Sequence, residues 1–239
     1  EPLRLADYVG DTAVALAYVT SSSAADAYVG VYGKWGDGVM AATPASLSGG
    51  YKQVGDMSVT AGCTLTMAEG AHLGITYNDF YINGTLKAAN KQVKDLITAI
   101  DTDADIIVGQ NAVLDVTNAN INLSKNYCNV FVKAGGVLKM NGGKLHAYAG
   151  TEGASGSAIS LIGVEVTGTV VASGALTSQN CTYNNNVTLG ESATLIGNTF
   201  AGYLKVFGST QVTASGNKFT GQEPLRLADY VGDTAVALA

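Results

Sequence analysis

From Met57 to Gln222 apolar and polar residues alternate in short runs, each broken by glycine or asparagine. VTAGCTLTM from Val59, DFYINGTLKA from Asp79, IIVGQNAVLDV from Ile106, VFVKAGGVLKM from Val130, VTLGESATLIG from Val187 and LKVFGSTQVTA from Leu204 share one pattern: alternation, a small-residue turn, alternation again. A period of two sends successive side chains to opposite faces, so these runs read as strands with one buried side. Turn glycines supply the positive φ that other residues resist. Gly62, Gly84, Gly109 and Gly135 follow one another at 22, 25 and 26 residues, and Gly190 and Gly208 at 18, lengths that suit one coil of a solenoid. A lone coil cannot bury its inward face, so coils stack, pair their strands in parallel and share a core of Val, Ile and Leu. The expectation is an all-β parallel β-helix of about six to seven irregular coils over residues 57–222. Thr151 to Gln179 fits the repeat poorly, and a β-sandwich or jelly roll, also built of many short strands, is the rival.

One stretch breaks the period of two. In NKQVKDLITAID, Val93, Leu96, Ile97 and Ile100 fall at i, i+3, i+4 and i+7, which predicts a short inserted helix with Asn90 as its N-cap, lying across one side of the β core or covering one of its ends. Residues 1–56 differ in texture: strand-like ALAYVT and AYVGVYGKW flank the loop SSSAADA, and a long loop follows through Pro44, Gly49 and Gly50. This region reads as a strand-rich cap or junction, with edge strands that need covering.

The ends carry a second signal. EPLRLADYVGDTAVALA, Glu1 to Ala17, recurs unchanged as Glu223 to Ala239, so any repeat has a period of 222 residues. Three readings are open: a slice of a tandem array, a donor strand that completes a neighbouring fold, or a duplication without biological meaning. The first two join one end to the opposite end, a heterologous contact that propagates into a fibre or sheet unless a ring closes. The residues expected to make the joint are Leu3, Leu5, Tyr8, Val9, Val14 and Leu16, together with their copies Leu225, Leu227, Tyr230, Val231, Val236 and Leu238.

Composition narrows the function classes. Charged residues are 13% and hydrophobic residues 47%, ample for a core and unlike a disordered chain. The net charge of −6, with arginine only at Arg4 and its duplicate Arg226, leaves no basic stripe for nucleic acid. No run reaches the ~20 apolar residues of a membrane span, and Glu1 opens no secretion signal, so the chain reads as mature or excised. Cys63, Cys128 and Cys181 lie too far apart for zinc or redox motifs; buried thiols are the plain reading, and one disulfide plus an intermolecular bond is open in an oxidising compartment.

Candidate chemistry is sparse. Asp101, Asp103 and Asp105 alternate in DTDAD, which in an extended strand would turn three carboxylates to one side, as a calcium site requires, although the EF-hand pattern fails at Ile106 and Ala112. A solvated acidic turn explains the same residues. His72 and His146 have no catalytic motif around them, and no nucleophile elbow, HExxH, phosphate loop or dinucleotide fingerprint occurs. Lys133, Lys139 and Lys144 with Asp115 are the residues a polysaccharide lyase would draw on. Tyr77, Phe80, Tyr81, Trp35 and Tyr203 are candidates for binding glycans, provided that their rings face solvent.

The repeat exemplified by VTAGCTLTM and VFVKAGGVLKM resembles, over about 165 residues, the β-solenoid passenger repeats of bacterial autotransporter adhesins and related surface proteins. That resemblance implies secretion, a parallel β-helix, and adhesion or self-association in place of catalysis. The combined expectation is an extracellular, non-catalytic structural subunit of a fibre, sheath or surface array. Its partners would be copies of itself, with an adhesin for glycans or host proteins and a lyase-like β-helix as alternatives, and no cofactor unless calcium.

Overall fold

In the computed structural model the chain is an all-β parallel β-solenoid, with no helix among the described residues. The structure describes residues 28–43, 47, 49–152, 156–207 and 210–221, and the backbone of Ala17–Val19 and Leu225–Ala228. Each coil contributes a rung to three parallel ladders wrapped around one core. The first face holds nine rungs among the described residues: Gly38–Met40, Thr64–Met67, the first halves of Thr85–Ala99 and Val113–Asn122, Val137–Asn141, Ala158–Ile162, Ala175–Gln179, Ala193–Ile196 and Val212–Ser215. Nine rungs exceed the six to seven expected: eight lie within residues 57–222, including Ala158–Ile162 and Ala175–Gln179 in the stretch that fits the repeat poorly, and Gly38–Met40 adds a ninth because residues 28–56 already coil, Tyr28–Trp35 pairing in parallel with Tyr51–Val59. Parallel register at every rung excludes the sandwich and jelly-roll rivals, whose neighbouring strands run antiparallel. The one antiparallel pair among the described residues joins Ala17–Val19 to Tyr28–Trp35.

Register explains why the sequence period looked irregular. On the first face Thr85 stands over Val113, Val113 over Val137, Val137 over Ala158 and Ala158 over Ala175, so the coils shrink from 28 residues to 24, 21 and 17. The extra residues go into corners, and the strands keep their alignment. Within Thr151 to Gln179, which fits the repeat poorly, Ala158–Ile162, Glu165–Val166, Val170–Ala172 and Ala175–Gln179 form ordinary short rungs.

The core is a set of continuous columns. Leu65, Leu86, Leu114, Leu138, Ile159 and Leu176 stack in register on the first face, each no more than 1% exposed. Each such leucine contributes on the order of 1.5–3 kcal/mol by leaving water. On the second face the column runs Ile97, Ile121, Leu145, Val166, Tyr183, Phe200 and Phe219. Its last three rings are stacked, with centroids 4.9 Å and 5.2 Å apart. A polar knot beside the ring stack is satisfied: Tyr183 Oη donates to Ser178 Oγ (2.7 Å), which donates to Asn198 Oδ1 (2.9 Å). Burial pushes the Tyr183 phenol far up, so it stays a neutral donor.

The corner between the first and second faces is one residue in the left-handed region, repeated up the stack: Asn118, Gly142, Gly163, Asn180, Gly197 and Gly216, with φ between 49° and 74°. Glycine and asparagine enter that region at low cost, and the column takes four of the chain's 30 glycines. The turn glycines singled out by spacing divide differently. Gly62 and Gly135 have positive φ, whereas at Gly84 a Cβ would run into the carbonyl oxygens of Thr60 and Cys63 on the coil below. There glycine serves close coil stacking.

The expected helix is a strand. Thr85–Ala99 runs through the corner from the first face to the second, pairing with Val113–Asn122 with two register shifts. Of the four residues in the helical stripe, Leu96 and Ile97 are buried while Val93 is 51% and Ile100 37% exposed. Leu96 has no partner in the ladder, and this bulge imitates a helical spacing. Asn90 is no N-cap: it is 5% exposed at the corner, where its Nδ2 donates to Asn118 O (3.2 Å) and its own carbonyl accepts from Asn118 Nδ2 (2.9 Å). Flanking strands that offer hydrogen bonds on both sides override a weak local helical preference.

Candidate functional site

The two ends of the stack are not equivalent. At the first rung Val31 and Trp35 are 0% and 1% exposed, as closed as the interior. At the last rung Val212, Ala214 and Phe219 are only partly buried, although their register partners one rung below, Ala193, Leu195 and Phe200, are 4%, 0% and 0% exposed. Among the described residues the core is therefore open at its C-terminal end on two faces. On the third face the last rung is itself covered: Leu225–Ala228, inside the second copy of the terminal peptide, lies parallel on Leu204–Phe207, with Leu225 beside Leu204 and Leu227 beside Val206. The other residues expected at the joint, Leu3, Leu5, Tyr8, Val9, Val14, Leu16, Tyr230, Val231, Val236 and Leu238, lie outside the described residues. An asparagine ladder also ends here: Asn217 Oδ1 accepts from the backbone N–H of Asn198 (2.9 Å) and its Nδ2 donates to Leu195 O (2.8 Å).

The structure does not gather Asp101, Asp103 and Asp105. Asp103 has φ 59°, so the run is no continuous extended strand and the alternation that would turn three carboxylates to one side is broken. Asp105 Oδ1 is held by the backbone N–H and Nδ2 of Asn129 (2.8 and 2.9 Å), and burial, with Asp79 and Asp103 nearby, raises its pKa. Among the described residues no three His, Cys, Asp or Glu side chains are grouped to hold a metal ion. Cys63, Cys128 and Cys181 are free thiols. Cys128 donates to Asp101 O (3.3 Å), and Cys181 donates to Gln179 O (3.4 Å) at the corner position that Asn198 takes one rung above.

The lysines considered for chemistry are mostly engaged along the ladders. Lys133 pairs with Glu152 and Lys144 with Glu165 (3.2 Å), while Lys139 stands in register with Asp115. His146 lines a hollow of about 160 Å³ with Asp95, Asn120, Asn122 and Lys144 on the second face. His72 Nε2 lies 3.0 Å from Thr98 Oγ1.

The aromatic candidates divide. Trp35 and Phe80 are core residues, Tyr203 is partly buried, and Tyr77 and Tyr81 are 68% and 41% exposed. Two further rings that alternation did not single out, Tyr127 and Tyr148, are 77% and 37% exposed. All five exposed tyrosines among the described residues lie on the third face or the corner leading into it, Tyr32 on the first coil and the other four on later ones; register relates two of them, since Tyr77 and Tyr127 each stand three residues ahead of residues that pair with Ile106, namely Phe80 and Val130.

No family model, curated protein or solved structure matches this chain.

Proposed function

We propose that this chain is a non-catalytic structural unit of the cell exterior, joined end to end with identical units through the peptide present at both of its ends. The observation that carries this reading is the strand Leu225–Ala228: the second copy of the peptide continues the parallel stack. Beside it, Val212, Ala214 and Phe219 leave the core incomplete on the other two faces. A following unit brings the same peptide and then its own closed first rung, so one unit's lid completes the previous unit's core. Such a contact is heterologous and propagates along an axis.

Material properties fit the same role. Stacked backbone ladders and aliphatic columns, with 13% charged residues, make a rod whose stability is the sum of rung and interface terms. Opening a rung in the middle breaks contacts on both sides, which slows unfolding and proteolysis. The test is a chain in which residues 1–222 are followed directly by residues 1–239. Electron microscopy of the two-unit chain is expected to show one straight rod longer than the single unit by at least the nine rungs described, about 43 Å at ~4.8 Å each. Two beads on a flexible tether would overturn the proposal.

A further inference from the structure

We propose that the exposed tyrosine strip on the third face is a binding site for a neutral polysaccharide chain that lies along the solenoid axis. Tyr81, Ile107 and Phe131 point outward in direct register on successive rungs. On the next rung Gly150 occupies the register position, and the ring of Tyr148 lies across it: a Cβ on Gly150 would sit 2.8 Å from Tyr148 Cε1. The Tyr148 and Phe131 rings are 6.0 Å apart and tilted by 60°. Four adjacent rungs therefore carry an unbroken outward apolar column. Beside it on the corner, Tyr77 and Tyr127 stand two rungs apart, about 9.5 Å.

Tyr127 is held at φ 59° while 77% exposed. A bulky side chain in the left-handed region costs on the order of 1 kcal/mol, and so exposed a ring recovers little of that by packing. The strain presents the ring to solvent.

Size and chemistry select the occupant. The exposed fractions of Tyr77, Tyr81, Tyr127 and Tyr148 amount to roughly 450 Å² if each ring residue offers about 200 Å². That is about half of the ~800 Å² per partner that a stable protein interface buries, and the column is one side chain wide. A strand-adding peptide needs a free sheet edge, and these rungs are paired on both sides. Sugar rings present C–H faces that stack on tyrosines, and their hydroxyls donate to the acceptors along the column. Asp79 Oδ2 accepts from Tyr81 Oη (3.0 Å) and Asp79 Oδ1 from the Asp105 N–H (3.3 Å). Asp79, Asp101, Asp103 and Asp105 make no ion pair among the described residues, and Lys125 is the cation two residues before Tyr127. That excess of carboxylates repels anionic glycans.

The test uses the full chain on immobilised neutral hexasaccharides of glucose, mannose, galactose and N-acetylglucosamine, with hexagalacturonate as the anionic probe. Retention of at least one neutral hexasaccharide is expected, with hexagalacturonate unretained. Tyr77→Ala and Tyr127→Ala should each weaken retention about three- to tenfold, the worth of one ring contact. Ile196→Ala, an exposed apolar residue on the first face, should leave it unchanged. Both tyrosines are solvent-exposed, so the variants keep the fold, which circular dichroism checks. Failure to retain any neutral hexasaccharide, equal retention by the tyrosine variants, or preference for hexagalacturonate overturns the proposal. None of these outcomes bears on end-to-end joining.

Discussion

The open last rung makes a quantitative prediction about Phe219. Phe200 is fully buried between two rings, at 4.9 Å and 5.2 Å, and Phe200→Ala should cost about 3–5 kcal/mol, the usual loss for a buried phenylalanine. Phe219 stacks on Phe200 alone and is only partly buried, so in the single chain Phe219→Ala forfeits one ring contact and part of the transfer term, about 1.5 kcal/mol. If a following unit covers that ring, the same substitution in the two-unit chain leaves a closed cavity and should cost as much as Phe200→Ala. The gap is about 2 kcal/mol or more, roughly 30-fold in the opening equilibrium. Hydrogen exchange reads it directly at the amides of Lys218 and Thr220, which donate to Asn198 O and Phe200 O. In the two-unit chain these amides, in the first unit, should be more protected than in the single chain and should lose that gain in the variant. An equal effect of Phe219→Ala in both chains would refute the reasoning, because it would mean that nothing sits on the last rung.

Three further outcomes test the fold itself. At the left-handed corner, Gly163 has φ 60° and open space around a Cβ, so Gly163→Ala should cost about 1 kcal/mol from backbone strain alone, and Gly163→Asn distinctly less, read from urea midpoints. In the native chain a thiol reagent should modify Cys63 and spare buried Cys128 and Cys181, three thiols should react after unfolding, and dithiothreitol should not shift the midpoint; fewer than three reactive thiols would reveal a disulfide. Burial holds the His72 imidazole below its usual range, against the pull of Asp95. A folded pKa below the unfolded value means that this group's stabilisation is complete above about pH 6.5 and is lost as pH falls through the lower folded value. The urea midpoint should therefore drop between pH 7 and pH 5, less so in His72→Gln, and an identical drop in both would count against the assignment.

Alternation of side chains around glycine and asparagine turns was legible without coordinates, and it determined the β-solenoid class. The inward residues of VFVKAGGVLKM and its fellows can be buried together only by stacking coils. The duplicated ends, too, are a property of the sequence alone. What the chain's own order could not show is which residues become neighbours 17 to 28 positions apart. That register decided that Leu96 and Ile97 belong to a bulged strand and not to a helix, because ladders on both sides satisfy a backbone that its local spacing would have coiled. It also decided that Asp101, Asp103 and Asp105 form no metal-holding group, since one left-handed residue breaks their alternation. Tyr77, Tyr81, Tyr127 and Tyr148, scattered over 72 residues of sequence, meet on one surface for the same reason: coil length, set by corners of variable size, determines which side chains share a column.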